Sequence, residues 1–444
     1  MASASDPQVR TEAVRQLAGL LFIEHIEGIG QKTVDIGVVP LLVEQLSECE
    51  DLQAAAGQAL SVLAIQNGDA VVNAGAVPPL VQLLSSPDDD VHGRGIATLC
   101  NVTAGSAARR DVVVAAGILE PLLKVMRESS NAAMLTVSAH LLRNLWIVSE
   151  NAPLPAPLAE FAPFLPLLIN LIAAPQQDEC VLEPARVALA DFAGWCAEKD
   201  GTVADRDALV ECGAVTSIKT LLEMADDDFT VMGCLIVQFI GEGSTAHFQA
   251  IIDADLVPLL VDLAAGEETD PDLKEIAVKI IGNIVRGGLQ RQVEHVVECG
   301  GIQPLCYLLD GENDNRLTAM LWLLDKILRA GRQKQEGLPD TPYCTLIEQA
   351  GGVDKMAALQ THNDMGVALQ AIVCLISHFP TRVDAQRLEA LMQAGVIQVV
   401  QADEVETNVG EDDDIGSDGD SDGGGEGKGV GQLEGDSGGE RAEG

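Results

Sequence analysis

One short phrase recurs along this chain: an apolar helix end, a glycine, and then a second apolar segment. It reads "VVNAGAVPPLVQLL" around Gly75, "VVVAAGILEPLLKVM" around Gly117 and "LVECGAVTSIKTLL" around Gly213. Further copies centre on Gly37, Gly300, Gly351 and Gly395, and Asp255 takes the glycine place in "IIDADLVPLLVDLA". Neighbouring copies stand roughly 38 to 51 residues apart, with one unmarked unit after Gly117, and such a period is typical of a repeat array.

Each copy has the composition of a tight turn between two short helices. Glycine ends a helix in a left-handed conformation that other residues adopt only at a cost. Proline in the first turn of the next helix loses no hydrogen bond. It stands there at Pro40, Pro78, Pro121, Pro258 and Pro304. A polar break such as "SSPDDD" then precedes a longer helical segment, "VHGRGIATLCNVTAG". Two short helices and one long helix per unit are the armadillo pattern, in which stacked neighbours bury each other's apolar faces.

The sequence therefore predicts an all-α fold, a right-handed superhelical solenoid of about eight or nine armadillo repeats of three helices. We expect the array to occupy residues 1–402. Residues 403–444 are rich in Gly, Asp and Glu and have almost nothing to bury, so the pattern predicts a disordered acidic tail. That tail is either a solubilising end or a docking or decoy segment for basic partners.

The charge balance narrows the possible partners. Asp and Glu number 68 against 27 Lys and Arg, a formal net charge of -41. Such a chain repels phosphate backbones and anionic lipid and attracts basic proteins. We therefore expect neither nucleic acid nor membrane as a partner.

The cysteines and the apolar runs indicate a compartment. The 10 cysteines are scattered and form no C-x-x-C pair, which predicts buried free thiols in a reducing environment. No signal peptide is visible, and no uncharged apolar run reaches the length of about 18 residues that a membrane span needs. Cytoplasm and nucleus are the expected locations.

Four stretches resemble the importin alpha family: "SDPQVRTEAVRQLAGLL" at the start, "LLRNLWIVSENAPLPAP" in the middle, and "CGGIQPLCYLL" and "YCTLIEQAGGVDKMAALQTHND" near the end. The resemblance covers about residues 6–380. It implies an adaptor that binds basic nuclear-localisation peptides for import into the nucleus, with importin beta and an export receptor as further partners. It also implies a monomer without cofactor, metal or enzymatic activity. P-loop, dinucleotide, hydrolase and zinc-protease motifs are not found in the sequence.

In that family the third helix of each unit lines a concave groove and carries a Trp followed four residues later by an Asn. This spacing places both side chains on one helical face. The Asn amide holds the peptide backbone, and the Trp rings receive Lys side chains. The resemblance assigns Asn101, Asn144 and Asn283 to the Asn place. It puts Ala97, His140 and Lys279 at the Trp place, where His140 is a candidate substitute ring and Lys279 repels basic cargo.

Elsewhere the motif departs from the family. Val62, Asp191, Gln238 and Lys326 replace the Asn, and Trp322 stands four residues before Lys326 as a candidate groove residue. Each candidate has a structural alternative. Asn101, Asn144 and Asn283 are either groove contacts or braces to a neighbouring helix. His140 is otherwise an exposed structural residue, and Trp322 a core residue. Trp146 is predicted in the core, and Trp195 receives no role.

Two functions follow from these expectations. The first is an importin-alpha-like adaptor that binds basic peptides along a concave acidic groove. The second is a diverged armadillo scaffold without import activity. The second is favoured by the lost Trp residues and by the opening "MASASDPQVRTEAV", where the family has a long basic segment.

Overall fold

Helices succeed one another in groups of three along the part of the chain that the structure describes. The computed structural model describes residues 7–21, 28–146, 154–175, 178–199, 201–224, 226–334 and 341–394, and within these ranges it contains no β-strand. The α-helices of the first half are α1 (Pro7–Leu21), α2 (Ile29–Asp35), α3 (Val38–Gln45), α4 (Glu50–Asn73), α5 (Val77–Leu83), α6 (Asp89–Thr103), α7 (Ala107–Ala115), α8 (Leu119–Glu128), α9 (Ala132–Trp146), α10 (Leu158–Phe161), α11 (Leu165–Ala173) and α12 (Glu179–Glu198). Those of the second half are α13 (Val203–Glu211), α14 (Ala214–Leu222), α15 (Asp227–Ile240), α16 (Thr245–Asp253), α17 (Val257–Ala265), α18 (Pro271–Gly287), α19 (Gln290–Glu298), α20 (Ile302–Tyr307), α21 (Asp314–Lys334), α22 (Pro342–Gln349), α23 (Gly352–Leu359), α24 (Met365–His378) and α25 (Ala385–Gln393). Short 3-10 segments lie at Ala162–Phe164, Leu308–Asp310 and Pro380–Arg382.

These helices make eight complete three-helix units, preceded by α1 and followed by α25. The long helix α4 serves two units, because its backbone breaks at Asn67, where φ is -126° and ψ is 38°. The unit that lacks the glycine phrase is formed by α10, α11 and α12. The predicted all-α array of armadillo units is therefore confirmed.

The turn that the phrase predicts is present in the described copies. Gly75 has a φ of 77°, in the left-handed region. The same region holds the glycines Gly37, Gly117, Gly213, Gly300 and Gly351. Asp255, in the glycine place, has a φ of 56° and is the one non-glycine residue of the described chain with a positive φ. Gly395 lies outside the described residues, as does the predicted tail at 403–444.

Packing between units runs through the third helices, where α4, α6, α9, α12, α15, α18, α21 and α24 contact one another in order. An aromatic seam joins three of them. The Trp146 ring lies 5.2 Å from that of Phe192, centroid to centroid. The Trp195 ring lies 6.1 Å from Phe192 and 5.7 Å from Phe239. Trp146 is buried, as predicted, and Trp195 fills the space between α12 and α15, a role that the sequence did not indicate.

The cysteines follow the prediction only in part. All ten are free thiols, and five of them are buried, but Cys49 and Cys180 are exposed. Both stand at the start of a third helix, Cys49 capping α4 and Cys180 in the first turn of α12. The expectation of buried thiols is therefore wrong for these two. In the described residues no helix is long and apolar enough to cross a membrane.

The helices up to Leu388 belong to one compact unit. A second unit begins at Glu389, and of it the structure describes only residues 389–394.

Candidate functional site

The solvent-facing sides of the third helices form a continuous surface, here called the third-helix face. On the seven third helices from α4 to α21, one residue of each helix occupies the same place on this face, here called the ladder position. These residues are Val62, Asn101, Asn144, Asp191, Gln238, Asn283 and Lys326. All of them are half-buried. Four residues earlier, Ala97 is half-buried, whereas His140, Lys279 and Trp322 are exposed.

The amides of Asn101 and Asn144 reach back to the preceding third helix. Asn101 Nδ2 donates to the backbone oxygen and to Oγ of Ser61, both at 3.0 Å. Asn144 Nδ2 donates to the backbone oxygen of Cys100 at 3.1 Å. In each case the acceptor immediately precedes the ladder position of the neighbouring helix. The bracing contact that the sequence offered as an alternative is therefore present.

Bracing leaves part of each amide available. An Asn side chain has two N–H donors and a carbonyl oxygen with two lone pairs. Within the described chain, Oδ1 of Asn101 and of Asn144 takes part in no hydrogen bond. The bracing bond holds each amide in a fixed orientation, and its oxygen can still accept from a peptide N–H group.

Asn283 differs from the other two. Among the described residues its side chain makes no hydrogen bond, so both its donors and its acceptor are free on the half-buried surface. Lys279 lies one turn earlier on α18 and forms an ion pair with Glu242, 3.1 Å apart. The positive charge that the sequence placed beside Asn283 is therefore matched by a carboxylate of the chain itself.

Ion pairs connect neighbouring units along the third-helix face. They are Arg143–Asp191 at 2.6 Å, Arg186–Asp228 at 3.9 Å, Lys279–Glu242 at 3.1 Å and Arg316–Glu275 at 2.6 Å. The face is consequently not uniformly acidic, although the net charge led us to expect an acidic groove. Sequence reasoning missed these pairs. The available signal was opposite charges separated by about one repeat period, which stacking brings together.

The two candidate rings have different surroundings. His140 is exposed, and partial burial together with the neighbouring Arg143 lowers the pKa of its imidazole, which favours the neutral ring near pH 7. Trp322 is 42% exposed and so is not a core residue. Its ring faces the chain's own Lys326, whose Nζ lies 5.8 Å from the ring centroid. Lys326 Nζ also donates to the backbone oxygen of Arg286.

In the described ranges no group of three or more His, Cys, Asp or Glu side chains is arranged to hold a metal ion. The chemistry that the face offers is hydrogen bonding and charge, through amides at fixed intervals and through ion pairs between them. Such a surface suits an extended polypeptide, whose backbone groups repeat at regular spacing.

Comparisons with known proteins agree with this architecture. The armadillo/beta-catenin-like repeat family matches residues 66–103, and the atypical Arm repeat family matches residues 341–393. Importin subunit alpha-8 of Arabidopsis thaliana is 28% identical, over 85% of this chain and 91% of its own length. Importin subunit alpha-1b of Oryza sativa subsp. japonica is 30% identical, over 85% of this chain and 77% of its own. An engineered protein of known crystal structure is 25% identical, and the match covers 88% of this chain and 90% of that protein's chain with a TM-score of 0.54. The chain belongs to the importin alpha family of armadillo-repeat proteins.

Proposed function

We propose that this protein is a nuclear-import adaptor that binds extended basic localisation peptides on the third-helix face. The observation that supports this most is the placement of Asn101, Asn144 and Asn283 at one ladder position on three third helices. Amides repeated on one face can pair with N–H and C=O groups spaced along an extended peptide. Membership of the importin alpha family supports the same function.

The proposal includes a reduced affinity for lysine-rich peptides. Each Lys–Trp contact contributes about 0.5 to 2 kcal/mol, and every 1.4 kcal/mol changes the dissociation constant about tenfold. Ala97 and Lys279 supply no ring, and His140 supplies a smaller one. The net charge of -41 raises the local concentration of a basic peptide and partly offsets this loss.

The proposed partners are basic cargo peptides, importin beta and an export receptor, with the protein acting as a monomer in cytoplasm and nucleus. It is proposed to bind and release these partners without catalysis.

A fluorescently labelled Lys-rich localisation peptide, long enough to extend from Asn101 on α6 to Asn283 on α18, tests the proposal. We expect it to bind the wild-type protein, and Asn144→Ala and Asn283→Ala each to weaken binding about five- to tenfold, the effect of roughly one hydrogen bond. Asn363→Ala is the matched control, because Asn363 is an exposed amide in the turn between α23 and α24. Binding that is undetectable below millimolar concentration, or equal in all four proteins, contradicts the proposal.

The same variants separate ligand contact from bracing. Asn144→Ala removes the hydrogen bond to Cys100 and is expected to lower the free energy of unfolding by about 1 kcal/mol. Asn283→Ala removes no internal hydrogen bond, so its thermal unfolding should match the wild type while its peptide binding falls. If Asn283→Ala unfolds earlier and Asn144→Ala does not, the two assignments are reversed.

A diverged scaffold without import activity is the second candidate. It is favoured by the ion pairs across the third-helix face and by Lys326 lying over Trp322. In both cases the chain's own cations occupy the carboxylates or the ring that the Lys and Arg side chains of a basic peptide would contact. Recovery of importin beta with the full chain in a pull-down argues against this candidate.

A further inference from the structure

Lys326 is held over Trp322 by several contacts at once. Its Nζ lies 5.8 Å from the Trp322 ring centroid, within the range of a cation–π interaction. The same ammonium donates to the backbone oxygen of Arg286, in the last turn of the neighbouring helix α18. The carbonyl end of a helix carries partial negative charge, which favours a cation there. The side chain is half-buried, and this burial lowers the pKa of Lys326.

We propose that Lys326 is an internal ligand of the Trp322 ring and closes this part of the third-helix face to basic side chains of a bound peptide. Lys326 would thus be a specificity-determining residue, and this inference rests on the function proposed above. It predicts that the protein binds one basic cluster, near Asn101 and Asn144, and gains nothing from a second cluster placed at α21.

The identity of the ladder residue decides whether the Trp322 ring already holds a cation of the chain itself. An Asn at this position brings no charge to the ring one turn earlier, whereas Lys spans that turn with a flexible four-carbon stem and holds its ammonium over the ring. A peptide Lys that approached Trp322 would have to displace Lys326. It would also have to break the hydrogen bond from Lys326 to the backbone oxygen of Arg286. Arg329 is already paired with Asp325, 2.7 Å away, so that carboxylate is not free to receive a new cation.

Two peptides test this inference. One carries a single cluster of four Lys, and the other carries a second Lys-Arg cluster beyond a Gly/Ser spacer. Four helix-to-helix steps of about 8–10 Å separate α9 from α21, and a spacer of about 12 extended residues spans that distance. Both orders of the clusters are made, so that the result does not depend on the direction of the peptide.

Lys326→Asn places at α21 the residue that α6, α9 and α18 carry at the ladder position. For the wild type we expect equal dissociation constants for the two peptides. For Lys326→Asn we expect the two-cluster peptide to bind roughly tenfold more tightly than the single-cluster peptide, as one Lys–Trp contact with reduced repulsion allows. Adding Trp322→Ala to Lys326→Asn should abolish that gain.

Lys334→Asn is the matched control, because it removes the same charge from the same helix. Lys334 pairs with Glu294 and Glu298 instead of a ring. A tenfold gain in Lys334→Asn, or a wild type that already prefers the two-cluster peptide tenfold, overturns the inference while the proposed function stands. Binding of the two-cluster peptide by Lys326→Asn alone supports the inference and overturns the proposed function for the wild type. If no variant binds either peptide, both are overturned.

Discussion

Asp255 shows how a single residue determines the geometry of a repeat. It occupies the place that glycine fills in the other described copies of the phrase, with a φ of 56°. Asp tolerates the left-handed region better than most residues, because its short polar side chain bonds locally. Here its carboxylate accepts a hydrogen bond from Lys219 Nζ at 2.8 Å, which lowers the pKa of Asp255 and connects α14 to the turn after α16.

Substitutions at Asp255 distinguish the free-energy cost of its left-handed backbone conformation from the contribution of its ion pair with Lys219. Asp255→Gly and Asp255→Ala both remove the contact with Lys219, but only Ala is strained at positive φ. We expect Asp255→Ala to unfold with a free energy about 1 kcal/mol lower than Asp255→Gly, measured by chemical denaturation. Equal stabilities of the two variants would mean that the turn relaxes out of the left-handed region.

At the scale of the helix, the sequence predicted which face a residue occupies but not what it touches. The resemblance to the importin alpha family predicted a common place on the third helices for Asn101, Asn144 and Asn283, and all three are half-buried there. Whether an amide braces a neighbour depends on the stacking distance between units. For this reason the spacing could not distinguish Asn144, bonded to Cys100, from Asn283, which has no such bond in the described chain. Contacts between units could be predicted from the sequence only where opposite charges stand about one repeat period apart, as Glu275 and Arg316 do.

The last two third helices are connected by a buried polar contact. His378 Nε2 lies 2.8 Å from Asp325 Oδ1, and both side chains are buried. Arg329 Nε lies 2.7 Å from Oδ2 of the same carboxylate. Burial alone would raise the pKa of Asp325, but the hydrogen bond from His378 and the charge of Arg329 outweigh it and hold the pKa below its ordinary value of 3.8. The folded protein therefore favours the ionised form of Asp325 over the protonated form more strongly than the unfolded chain does.

Asp325→Asn should weaken the packing of α24 on α21 in a pH-dependent way. Because the pKa of Asp325 is lower in the folded protein than in the unfolded chain, its carboxylate stabilises the fold fully above about pH 4. This stabilisation is lost as the pH falls through the pKa of the folded state. At pH 7 we expect the variant to unfold with a free energy lower by about 2 kcal/mol, and the difference from wild type to shrink below about pH 4. Urea unfolding followed by circular dichroism at several pH values measures this. A difference that stays constant down to about pH 2.5 would exclude the carboxylate as its origin.

At the scale of the whole molecule, two kinds of electrostatic interaction oppose each other. The ion pairs between units are local and mostly exposed, and such pairs contribute about 0 to 1 kcal/mol each. The net charge of -41 acts over the whole chain and repels it from itself. Salt screens separated exposed charges first, since the Debye length is about 10 Å at 0.1 M. Long-range repulsion should thus weaken more on adding salt than contacts such as Arg316–Glu275, whose atoms are 2.6 Å apart.

We therefore expect the melting temperature to rise when NaCl is increased from about 20 to about 200 mM, a range over which the Debye length falls about threefold. The double variant Arg316→Gln with Glu275→Gln is a matched control, because it removes one pair between units and keeps the net charge. It should show a rise at least as large as the wild type, since it loses only an attraction that salt weakens. A melting temperature that falls with salt in the wild type but not in the double variant would show that the ion pairs outweigh the self-repulsion.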